Sequence, residues 1–117
     1  MEYVMLIYNS EERWNALSDE EEAEIMAGHF AIIEQSQKDG TFRAGNRLMD
    51  VVAATTVRNH GGKVSVTDGP FAETKEQLGG YYVFECDDLD QVIGYASLLP
   101  HGDTGCVEIR PVFPDPE

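Results

Sequence analysis

Residues 3 to 8, Tyr-Val-Met-Leu-Ile-Tyr, carry a large apolar or aromatic side chain at every position. In an extended strand, successive side chains point to opposite faces. A strand apolar on both faces needs cover on both sides. The chain has 117 residues, enough for one domain with one core. Helices from the same chain can cover one side. The other side predicts a second copy, a homodimer joined through sheet faces that include Tyr3 to Tyr8.

Charge narrows the partners. Eight Lys and Arg stand against 22 Asp and Glu, a net charge of −14. Nucleic-acid binding needs a basic footprint to release counterions, so nucleic acid is excluded, and an anionic membrane surface would repel the chain. No apolar run approaches the roughly 20 residues of a membrane span. Met1 to Tyr8 has neither a basic residue nor a small-residue cleavage site, so it reads as a strand, not a signal peptide, and the protein as cytoplasmic. Cys86 and Cys106 are too few for a disulfide scaffold, form no CxxC pair, and read as small buried apolar groups.

The rest of the chain divides into short periodic segments without an internal linker or repeat, one domain over residues 1–117. Glu11 to Leu17 reads as a connector holding one large apolar residue, Trp14. Ser18 stands three before Glu21, a capping-box spacing, and the acids that follow suit the positive end of a helix dipole. Ile25, Met26, His29, Ile32 and Ile33 then share one helical face, and Gly40 stops the helix. Phe42 to Leu48 is extended. Ala53 to Asn59 and Lys63 to Thr67 form a hairpin through His60-Gly61-Gly62. A long loop over 68–80 includes a candidate helical turn at Ala72 to Gln77. Tyr81 to Cys86 is a strand. A helix capped by Asp88 has the stripe Leu89, Val92, Ile93, Ala96 and Leu99, followed by Pro100. His101 to Gly105 turns into a last strand, Cys106 to Val112. The order β-α-β-β-β-α-β contains a split βαβ frame.

Residues 68 to 85 read Asp-Gly-Pro-Phe-Ala-Glu-Thr-Lys-Glu-Gln-Leu-Gly-Gly-Tyr-Tyr-Val-Phe-Glu. This run resembles the signature of the DGPF branch of the YCII-related family, and Tyr3–Tyr8 and Val107–Val112 look like its opening and closing strands. The resemblance implies a ferredoxin-like α+β fold with an antiparallel sheet, two copies of which form a dimeric α/β barrel. It does not imply one reaction. Relatives with this fold include dehydrohalogenating lyases, and similar barrels isomerise lactones. DGPF-like proteins are also associated with extracytoplasmic-function sigma factors. Three functions follow: a cofactor-free acid–base enzyme on a small carbonyl-containing or aromatic-derived molecule, a ligand-binding or regulatory module with a sigma-factor partner, or a structural dimerisation domain.

His29 and Asp68 are the candidate catalytic pair. Imidazole titrates near neutrality and serves as general acid or base, and His29 looks like the family's helix histidine. The alternative is a core-edge histidine bonded to a carbonyl or a Tyr hydroxyl. Asp68 ends a strand and can either face a pocket or cap its own loop. Tyr8, Tyr82 and Arg110 are candidate substrate-binding residues, with Tyr81 and Arg47 beside them; packing and ion pairing are the alternatives. Gly69 and Pro70 shape the loop, Phe71 plugs it onto the core, and Gly79-Gly80 permit close backbone approach or a bulge. His60 and His101 have no ligand partner at metal spacing, so neither a metal nor a cofactor is expected.

Overall fold

A computed structural model describes residues 1–100 and 104–115. The order is β1 (Glu2–Asn9), α1 (Glu11–Asn15), α2 (Asp19–Asp39), β2 (Phe42–Arg47), a 3₁₀ turn (Val51–Ala53), β3 (Thr55–His60), β4 (Lys63–Asp68), β5 (Gln77–Glu85), α3 (Leu89–Ala96) and β6 (Gly105–Pro111). Four strands pair antiparallel in the order β2-β5-β1-β6. With α2 and α3, this is the ferredoxin-like α+β frame. β3 and β4 stand apart as a two-stranded sheet inserted between the second and third strands of the frame.

Local signals set most of the boundaries. Ser18 accepts from the Glu21 backbone N–H while the Glu21 side chain accepts from the Ser18 N–H, a closed capping box at the start of α2. Gly40, with φ of 77°, ends it. His60 pairs with Lys63 across Gly61-Gly62, whose φ values of 60° and 83° suit a tight hairpin that glycine takes without steric cost. The expected connector after β1 is instead a short helix, α1. Ser10 caps it by accepting from Arg13 N–H, and Glu11 and Glu12 occupy its first turn.

The helix-facing side of the sheet is built in rows. Phe42, Phe84 and Tyr3 lie opposite one another; Gly45, Tyr82, Met5 and Ile109 form the next row; Arg47, Gly80, Ile7 and Val107 form the third. Phe84, Met5 and Ile32 of α2 are fully buried and anchor the core. Helix α3 differs from the expected stripe. Val92, Tyr95 and Leu99 are buried, while Leu89 and Ile93 stay nearly half exposed. Tyr95 turns the helix: its ring packs 4.8 Å from Phe84, and its hydroxyl donates to Asp39 Oδ2 at 2.7 Å and lies 2.7 Å from Thr41 Oγ1. α2 passes close to the segment after α3 at Gly28, where a Cβ would come within 2.5 Å of the Leu98 carbonyl oxygen.

The opposite sheet face carries Val4, Leu6, Tyr8, Tyr81 and Val83, and among the described residues no helix or further strand layer packs on it. The β3–β4 arm also projects: Val57, Val64 and Val66 are each more than half exposed. The radius of gyration is 16.3 Å, against about 13 Å for a compact domain of this length.

The segment after the arm differs from expectation in three ways. Phe71 does not plug the core; it is 77% exposed, because Gly69 (φ 97°) turns the chain away at the end of the separate hairpin. The helical turn over Ala72–Gln77 is absent. Thr74 donates to the Glu76 carbonyl and Gln77 Nε2 donates to Thr74 O, and Gln77 already pairs with Asn9 as the first residue of β5. Gly79-Gly80 therefore lie inside the strand, and Gly79 is the extra residue where the β1–β5 register shifts. Cys86 is buried as expected, but Cys106 is exposed on edge strand β6. The expected turn at His101 to Gly105 lies mostly outside the described residues. Among the described residues, no helix is long and apolar enough to cross a membrane.

Candidate functional site

The third row of the sheet contains a gap. Gly80 puts no side chain between Arg47 and Ile7, and Gly45 stands beside it in the second row. In the second row the Tyr82 ring occupies the space beside Gly45; here no such side chain stands over Gly80 and the floor stays low. The space above it is a cavity of about 240 Å³ between α2, α1 and the ends of β1, β2 and β5. Met26, His29, Phe30 and Ile33 of α2 form one wall. Trp14 of α1 and residues 48–50 form the rim. Glu11 ties that rim together: its Oε2 accepts from Val51 N–H at 3.0 Å and its own N–H donates to Gln77 Oε1 at 2.9 Å.

His29 Nδ1 lies 2.8 Å from the Tyr82 hydroxyl on the cavity wall. Stacking holds Tyr82 in place: its ring lies 5.7 Å from Phe84 at an interplanar angle of 18°, with the edge of Phe42 at 6.5 Å. Gly45 makes this seat possible, since a Cβ there would fall 2.5 Å from Tyr82 Cδ1. Burial pushes the Tyr82 phenol up from its ordinary pKa, so it stays protonated at neutral pH. A phenol bonded to imidazole fixes the ring orientation, and the imidazole tautomer sets which of the two atoms donates. The pair can accept, hold or return a proton beside a bound molecule.

The structure brings together only part of the set expected from sequence. His29, Tyr82, Gly79, Gly80 and Arg47 line the cavity. Asp68 does not: it ends β4, pairs with Thr55 on the projecting hairpin, and is exposed. Because that hairpin is not part of the main sheet, the end of β4 is not a strand end beneath α2, and the His29–Asp68 pair does not form within one chain. Tyr8 faces the uncovered side of the sheet, in the row of Leu78 and Cys106. Arg110 lies on that same side, where its Nε donates to Glu108 at 3.1 Å. Gly69, Pro70 and Phe71 follow the arm directly and do not line the cavity. Trp14, the one large apolar residue of a polar segment, was the available sequence signal for the rim. Glu11 and Gln77 gave no such signal.

The sequence profile of the YCII-related domain matches residues 1–115. The chain belongs to the YCII-related family. An uncharacterized protein of Rhizobium meliloti (strain 1021) is 39% identical over 114 residues, covering 96% of this chain and 92% of its own. Among solved structures, this YCII-related chain is similar to the 5-chloro-2-hydroxyhydroquinone dehydrochlorinase TftG of Burkholderia phenoliruptrix AC1100, in complex with 2,5-dihydroxybenzoquinone. The TM-score is 0.51 and the identity 13%, with 97% of this chain and 94% of that one covered. At that identity the likeness is one of fold.

Proposed function

We propose that this YCII-related protein is a cofactor-free enzyme that moves protons on a small ring compound bound between α2 and the sheet. The 2.8 Å contact between His29 Nδ1 and the Tyr82 hydroxyl, on the wall of an apolar cavity, carries the reading. A cavity of about 240 Å³ falls below the roughly 300–1,000 Å³ typical of drug-sized ligands and suits a single ring. His29 is the general acid–base; Tyr82, a neutral phenol bonded to its Nδ1, orients it. Elimination of a proton and a halide ion from a halogenated hydroxy-ring, or enol–keto isomerisation, needs no more than such a pair. The dehydrochlorinase of like fold supports this class of substrate.

The test is turnover of monocyclic hydroxylated and chlorinated aromatics, followed by halide release and ring absorbance. His29→Ala is expected to lower kcat by about 10²-fold or more, the usual scale of a general acid–base. Turnover unchanged in both His29→Ala and Tyr82→Phe would end the reading.

The same cavity functions within a homodimer in this proposal. Val4, Leu6 and Val83 leave an apolar sheet face that a second copy covers, which also suits a flat protomer of 48 × 47 × 18 Å.

A further inference from the structure

We infer that the cavity takes a planar acid, with Arg47 over Trp14 as its anion anchor. This rests on the cavity being a ligand site, and it does not depend on proton transfer. Arg47 lies opposite Gly80, so no side chain stands between its stem and the cavity floor. Its guanidinium carbon sits 5.6 Å from the centre of the Trp14 ring. A cation–π contact of this kind holds the guanidinium in place. Its fork of N–H donors remains suited to a carboxylate.

The surrounding charge makes this arginine unusual. With 22 acids against eight Lys and Arg, an available cation is scarce on this chain. Among the described residues the ion pairs are Met1 with Glu85 and Arg110 with Glu108; Arg47 is in neither. Two acids line the same cavity, and neither takes it. Glu11 is occupied by the Val51 N–H, and Asp50 is exposed. An anionic ring approaching a chain of net charge −14 is repelled except where a cation is placed for it. Arg47 supplies that cation at one side of the cavity, and His29 with Tyr82 supplies the proton-bearing wall.

The experiment compares a dihydroxybenzoate with the matching neutral dihydroxybenzamide. Trp14 is the single tryptophan of the chain, so its fluorescence reports binding directly at the proposed anchor. The acid is expected to bind about tenfold tighter than the amide, or about 1.4 kcal/mol. The preference should shrink as salt rises and should vanish in Arg47→Gln, with amide binding unchanged; Arg47→Lys should retain part of it. Equal binding of acid and amide to the wild type, or an acid preference that survives Arg47→Gln, overturns the anchor and leaves the cavity reading standing. Failure of both rings to bind at millimolar concentration overturns the two together. An acid preference that persists in His29→Gln supports the anchor whatever the fate of the proton-transfer proposal.

Discussion

His29 of helix α2 and Tyr82 of strand β5, 53 residues apart, meet at 2.8 Å between Nδ1 and the phenolic oxygen. Two independent seats produce this meeting. The helix face that buries Ile32 turns His29 to the sheet, and the stack on Phe84 fixes the tyrosine ring. The hydroxyl therefore bonds to His29 at the cavity wall, on a side chain whose ring belongs to the core.

Tyr82→Phe should separate those two roles. The ring and its stacking remain, so stability should fall by only about 0.5–1.5 kcal/mol, the scale of one hydrogen bond. Turnover should fall much more than stability. Urea unfolding set beside steady-state kinetics measures both, and a stability loss above about 3 kcal/mol would assign the hydroxyl to the core.

Gly45→Ala should damage the site through packing. The added Cβ meets the Tyr82 ring at 2.5 Å. The ring must shift away from its stack, and overpacking of this kind costs about 1–3 kcal/mol. Weaker ring binding together with a lowered unfolding midpoint is the expected result. Unchanged values in both would mean that β2 relaxes freely and the seat of Tyr82 is not tight.

Tyr95 makes stability depend on alkaline pH. Burial, with the Asp39 carboxylate adding to it and the Thr41 contact opposing it, pushes its phenol from 10 up to about 12. The folded protein thus holds the proton more tightly than the unfolded chain does. The stabilisation is complete below pH 10 and is lost as pH rises through about 12. Its size is on the order of 2–3 kcal/mol. Denaturant melts of wild type and Tyr95→Phe between pH 8 and 12 should converge at the alkaline end; parallel curves would contradict the assignment.

The uncovered sheet face predicts a homodimer. Leu6→Glu or Val83→Glu would place a charge at its centre and should yield monomers in sedimentation velocity, with α2 helicity retained. A wild type that is monomeric at micromolar concentration, unchanged on further concentration, would remove the dimer proposal.

Elements fixed by neighbours in sequence were legible without coordinates. Ser18 and Glu21 close a box three residues wide, Gly61-Gly62 joins adjacent strands, and the alternation of residues 3–8 needs only the pleat of a strand. His29 could be placed on the inner face of α2 because helical period is a local property. What the tertiary structure decided depends on contacts far apart in the chain. Tyr95, not Ile93, faces inward because its hydroxyl reaches Asp39 and Thr41, more than 50 residues away. The cavity exists because Gly80 and Gly45, on two different strands, fall in register with Arg47 and Tyr82. Asp68 stands apart from His29 because β3 and β4 pair only with each other, and residues on one hairpin carry no local record of whether that hairpin joins the main sheet. The sequence by itself thus determined most of the elements and the helix histidine; only the fold decided that the Tyr82 hydroxyl stands beside it and that Asp68 lies on a separate hairpin.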